Sequence, residues 1–89
     1  MTVGQRFGAN LSHLREQSGI TQEELAFKAG LHRTEIGLLE RGGRVPKIDT
    51  AAKLAGSLGV TLAVLLDGIE WHPGEFQRGY FRASEKAGP

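Results

Sequence analysis

Thr21–Gly42, TQEELAFKAGLHRTEIGLLERG, is the stretch whose reading decides the fold. Thr21 is a good N-cap and Glu24 follows three residues later, which makes a capping box. Ile20 and Leu25 flank that cap at hydrophobic-staple spacing. A helix is therefore expected from Gln22 to Ala29, ended by Gly30, whose missing Cβ permits the left-handed turn. Leu31, His32, Glu35 and Ile36 repeat the staple-and-box spacing, with His32 as the weaker cap. A second helix is expected from Arg33 to Glu40, closed by Gly42–Gly43. Two helices joined by three residues cross at a steep angle, the geometry of a helix-turn-helix. Ala26 and Ala29 are small enough for a close crossing. Leu25, Leu31, Ile36 and Leu39 are expected to point inward. His32, Arg33, Thr34, Gly37 and Leu38 are expected outward, on a helix of the kind the DNA major groove accepts.

The stretch resembles the phage-repressor helix-turn-helix family, the Cro, lambda-repressor-like and XRE-type regulators. Gln22-Glu23-Glu24-Leu25-Ala26, Ala29-Gly30, Ile36 and Leu39-Glu40-Arg41-Gly42 carry the likeness. Pro46, Leu54-Ala55, Leu58-Gly59-Val60 and Leu65-Leu66 extend it over roughly residues 5–68. The resemblance implies a five-helix domain that binds operator DNA, usually as a symmetric dimer. It also implies an ion pair between a basic residue on the first helix and the glutamate near the end of the recognition helix, here Arg15 and Glu40. Such a pair would set the register of the first helix more than it would add stability.

Outside the motif, Phe7, Leu11 and Leu14 recur at helical spacing between Gln5 and Gln17, so a first helix packs that stripe inward and Ser18-Gly19 end it. Residues 1–4 are expected to fray. After the recognition helix, Gly42 to Pro46 allow a sharp turn. A fourth helix is expected from Ile48 to Leu58 with Ile48, Ala51, Ala52, Leu54, Ala55 and Leu58 on its apolar face. Gly59 ends it. Val60-Thr61 and Leu65 repeat the staple and begin a fifth helix, with Leu62, Leu65 and Leu66 pointing in. Asp67-Gly68 close the helical domain, residues 1–68. The extension, 69–89, holds Trp71, Phe76, Tyr80 and Phe81, four of the six aromatics. His72-Pro73-Gly74 reads as a turn between short strands at Ile69–Trp71 and Tyr80–Ala83. Two roles stay open for the extension: an aromatic cover over the helical core, or a contact with a second subunit. Residues 84–89 are expected to be disordered.

Composition narrows the function. Eighty-nine residues make one domain. There are no cysteines, hence no disulfide framework and no thiolate metal site. No signal peptide and no membrane-length apolar run are present, so a cytoplasmic protein is expected. The triplet Asn10-Leu11-Ser12 matches a glycosylation pattern but falls within a helix of a chain with no secretory signal. The net charge is only +1. The stretch from Arg33 to Lys47 is locally basic, with Arg33, Arg41, Arg44 and Lys47 against Glu35 and Glu40. His13, His32 and His72 lie on separate elements without ligand spacing, so no metal and no cofactor are expected. Ser12 and Ser18 lack an evident base or oxyanion partner, which argues against an enzyme.

DNA binding divides between phosphate contacts, which hold register, and base contacts, which choose sequence. Thr21, Gln22, Arg41, Arg44 and Lys47 are assigned to phosphates. Gln22 opens a helix whose free N–H groups favour an anion, and each ionic contact adds roughly one unit to the salt slope. His32, Arg33 and Thr34 are assigned to bases, followed by Gly37 and Leu38. The guanidinium of Arg33 matches the O6 and N7 of guanine. Leu38 suits either a thymine methyl or partial core burial. Glu35 suits a cytosine amino group or the cap. Gly37 permits close approach but costs about 1 kcal/mol in helix propensity. The expected protein is thus an all-α, five-helix lambda-repressor-like domain with a short C-terminal extension. It would act as a sequence-specific regulator, a repressor of a bacterium or phage, binding double-stranded DNA as a homodimer. The alternative is a protein-interaction module, such as the antitoxin of a toxin–antitoxin pair, using the tail on a partner.

Overall fold

The computed structural model describes residues 1–85. Five helices come first: α1 (Val3–Gln17), α2 (Gln22–Ala29), α3 (Arg33–Glu40), α4 (Ile48–Leu58) and α5 (Leu62–Leu65). Strands β1 (Ile69–His72) and β2 (Tyr80–Ala83) follow and pair antiparallel. The start of α1 corrects the expected fraying. The Gln5 N–H donates to the Thr2 hydroxyl at 3.1 Å and the Thr2 N–H donates to the Gln5 carboxamide at 2.9 Å, a complete capping box.

One local device joins three of the helix pairs. Gly19, Gly30 and Gly59 each take a left-handed φ, +72°, +67° and +69°. The next residue is apolar in each case, Ile20, Leu31 or Val60, and its N–H reaches back to the carbonyl of Arg15, Ala26 or Ala55. The cap of the following helix comes next, so the same apolar side chain ends one helix and staples the start of another. All three pack against the core. At Thr21 the expected box is present: the Glu24 N–H donates to the Thr21 hydroxyl at 3.0 Å, and the Thr21 N–H donates to the Glu24 carboxylate at 2.9 Å. The Thr21 backbone N–H first, and then the Thr21 side chain, hold the Glu24 carboxyl below its ordinary pKa. His32 makes no side-chain cap bond, so the second expected box does not form. Instead the Glu35 carboxylate stands 3.7 Å from Arg44 Nη1.

The core joins Phe7 and Leu11 of α1, Leu25 of α2, Ile36 and Leu39 of α3, Leu54 of α4 and Leu65 of α5, all essentially inaccessible. At Gly8, α1 lies directly on the end of α3. A Cβ there would fall 2.3 Å from the Leu39 carbonyl oxygen and 2.7 Å from that of Glu40. Three expected apolar contacts are absent. Ile48 is 79% exposed, Ala52 is exposed, and Leu66 is 40% exposed. Helix α4 is apolar over a wider arc than the core can cover, and α5 ends at Leu65, so Leu66 leaves the helix turned partly outward.

The hairpin corrects the picture of an aromatic cover. In register, Ile69 faces Ala83, Glu70 faces Arg82, Trp71 faces Phe81 and His72 faces Tyr80. Only its root meets the body. Arg6, 1% exposed, donates from Nε to the Asp67 carbonyl at 3.0 Å and from Nη1 to the Ser84 carbonyl at 3.2 Å. Its Nη2 stands 3.4 Å from the Asp67 carboxylate. Asn10 Nδ2 donates to the carbonyls of Leu65 and Asp67 at 3.0 and 2.8 Å. The two α1 side chains therefore satisfy carbonyls left open at the end of α5. Beyond the root, Trp71, Tyr80 and Phe81 are more than half exposed and Phe76 is 90% exposed. Ser84 and Glu85, within the stretch expected to be disordered, meet the body. The Ser84 N–H donates to Gly68, and Glu85 meets the terminal ammonium of Met1 at 3.1 Å. The rest of the expected disordered end, 86–89, lies outside the described residues.

Candidate nucleic-acid interface

The short turn from Gly30 to His32 sets α3 across α2 with its first residues in solvent. His32, Arg33 and Thr34 are all exposed, while Ile36 and Leu39 on the opposite side are fully buried. The outward face is therefore free of the tail and of the core.

A half-buried polar clamp holds this face in place. Arg15 Nε donates to one oxygen of Glu40 at 2.6 Å and Nη2 to the other at 3.1 Å. Arg15 Nη1 also donates to the Ile20 carbonyl at 2.9 Å. Gln22 Nε2 donates to Glu40 Oε1 at 3.0 Å. One carboxylate thus ties α1, the first residue of α2 and the last residue of α3. The bidentate pairing raises the Arg15 pKa, chiefly through the hydrogen bond to Glu40. Gln22 was assigned to a phosphate from its position alone. In the structure one of its two amide N–H donors is committed inward to a carboxylate, which leaves the other as the donor its side chain can offer.

The assigned residues fall on two flanks of α3. On one, Gln22, Arg33, Thr34, Gly37 and Arg41 line a single cleft. Thr21, Gln22 and Arg33 continue it toward Arg15. Arg41 lies over Gly37, where an added Cβ would meet Arg41 Nη1 at 3.1 Å. Gly37 is buried beneath that guanidinium, so Arg41 is the group this stretch of helix presents. On the other flank, Arg44 and Lys47 line a hollow with Glu35, Asp49 and Thr50. Leu38 is half-buried and packs on the Gly43 backbone, which favours its packing role. The Thr21 hydroxyl accepts the Glu24 N–H within the capping box. Sequence reasoning missed two partners, Gln22 with Glu40 and Glu35 with Arg44. Both span a helix junction, so no helical or strand spacing announces them.

Among the described residues, no group of three or more His, Asp or Glu is placed to hold a metal ion. None of their helices is long and apolar enough to cross a membrane.

A family model described as helix-turn-helix matches residues 11–65. The control protein C.BamHI of Bacillus amyloliquefaciens is 42% identical over 62 residues, 68% of this chain and 76% of that protein. The immunity repressor protein of Bacillus phage phi105 is 36% identical over 86 residues, 97% of this chain but 56% of the repressor. Among solved structures, the restriction-modification controller protein C.AhdI from Aeromonas hydrophila superposes with a TM-score of 0.68 at 39% identity, covering 70% of this chain and 94% of that one. SinR, a master regulator for biofilm formation solved in complex with DNA, superposes with a TM-score of 0.66 at 31% identity over 68% of this chain and 98% of SinR. With its motif intact and its recognition helix outward, the chain belongs to the helix-turn-helix family of phage-repressor-like, XRE-type transcriptional regulators.

Proposed function

We propose that this protein is a sequence-specific repressor that reads the major groove of double-stranded DNA with α3, as a homodimer in the cytoplasm. One observation carries the reading: His32, Arg33 and Thr34 stand in solvent at the start of a helix whose far end is clamped by Arg15 and Gln22. A reading helix must be both free on its outer face and rigid in its mounting. Arg33 and Thr34 reach base edges, with His32 beside them. Thr21, the remaining amide N–H of Gln22, and Arg41 hold one phosphate strand, and Arg44 and Lys47 hold the other. Glu35 sits beside Arg44, which spares the groove an unpaired negative charge.

Selection of bound sites from random duplexes tests this. The expected result is a palindrome whose half-sites lie about 34 Å, one helical turn, apart. Arg33→Ala should relax the preference at one base pair, costing about 1–3 kcal/mol there. Arg44→Ala should weaken all duplexes about equally and lower the salt slope by about one. A protein indifferent to both substitutions does not read DNA this way.

A further inference from the structure

Apart from Phe27 and Phe76, several of the apolar side chains this molecule leaves in solvent lie together. Val45, Ile48 and Leu66 are 61%, 79% and 40% exposed. All three line one groove of about 210 Å³, and no charged residue lines it. Ile69, the first residue of β1, lines the same groove. Strand alternation puts Trp71 on the face of β1 that carries Ile69. Phe81 stands across from Trp71, with ring centroids 5.0 Å apart. Trp71 and Phe81 are 53% and 59% exposed. The apolar surface therefore runs from the groove out along one face of the hairpin. Val45, Ile48, Leu66, Trp71 and Phe81 together expose on the order of 600 Å², the upper end of what a monomer leaves in one patch. It approaches the roughly 800 Å² that each partner buries in a standard interface.

We propose that this surface is closed by a second copy of the chain, with the Trp71–Phe81 face of each hairpin laid in the groove of the other. The inference rests on the dimeric reading above and names its surface. The occupant follows from the molecule's own shape and chemistry. It carries an uncharged groove and an aromatic arm, which suit each other as the core of an interface. They do not meet within one chain, because Arg6 and Asn10 pin the root of the hairpin beside the groove's edge and Trp71 and Phe81 lie beyond it. A two-fold axis makes both contacts at once. No residue of α3 lines the groove, so the reading face stays open.

The chain has no cysteine among its residues, so introduced ones report cleanly. Sedimentation equilibrium at tens of micromolar, without DNA, should find a dimer. Ile48→Arg, on the body, and Trp71→Arg, on the arm, should each weaken it at least tenfold while helical circular dichroism is unchanged. Mixing the Trp71→Cys chain with the Ile48→Cys chain under mild oxidation should give the crossed disulfide in preference to either homodimer. If both arginine variants stay dimeric, or if the Trp71→Cys homodimer dominates, the docking is overturned and the dimer stands on another surface. If the unaltered chain is monomeric, this proposal and the dimeric reading both fall, and the surface belongs to a different protein. Neither result touches DNA recognition, which the site selection tests separately.

Discussion

The helical body and the hairpin treat apolar residues in opposite ways. In the body Leu11, Leu25, Ile36, Leu39, Leu54 and Leu65 are sealed from water, and even a guanidinium, that of Arg6, is enclosed. In the hairpin the large rings face solvent, with Trp71 edge-on to Phe81 and His72 stacked on Tyr80. A two-stranded hairpin has one layer and cannot bury a face against itself. The body can stand by its own packing; the hairpin is held by polar bonds at its root. The lesson is that the polar anchor, not the aromatics, fixes the hairpin to the protein.

The largest expected effect breaks the body. Gly8→Ala places a methyl inside contact distance of two α3 carbonyls, so α1 must lift from α3. A loss of about 3 kcal/mol, read from chemical denaturation, is expected. Next comes the clamp. Glu40→Ala strands the Arg15 guanidinium and frees Gln22, which should cost about 2 kcal/mol and lower affinity for every duplex. Its signature is a lower melting temperature together with weaker DNA binding. Arg6→Met sharpens the comparison more directly. It keeps the apolar stem but removes the guanidinium's bonds to the Ser84 carbonyl, the Asp67 carbonyl and the Asp67 carboxylate. A cost of about 1–2 kcal/mol is expected. Hydrogen exchange should quicken in β1 and β2 while the amides of α2 and α3 keep their protection. The smallest effect is one of pH. The Glu24 carboxyl is depressed in the folded state, so its contribution is present above its unfolded pKa and fades as pH falls through the lower folded value. The Glu24→Gln variant should lose that part of the acid dependence and match the parent at low pH.

Much of the body was legible because its signals are local. The bounds of α2, α3 and α4 follow from Thr21, Gly30, Gly42 and Gly59, residues that act within a turn of themselves. The outward face at His32–Thr34 followed from the same spacing. The start of α1 is written in Thr2 and Gln5 at box spacing, so near the terminus that it reads as a frayed end until the two bonds are seen. Elsewhere the deciding partner is remote. Periodicity marks Ile48 and Leu66 as apolar and does not say whether anything covers them. Arg6 reads as a surface charge until the carbonyls of Asp67 and Ser84, far along the chain, close around it. Glu35 fits a cap by spacing, yet Arg44 draws its carboxylate away.

The three junctions built as glycine, apolar residue and cap have a consequence for insertions. Each link has a fixed residue count and one side chain serving both neighbours. Adding one residue after Gly30 would separate Leu31 from one of its duties and swing α3 by about 100° around its axis. Ile36 would leave the core and Thr34 would leave the outward face. The stretch 42–47 carries no such shared residue, so changes in length are better accommodated there than at any of the three junctions.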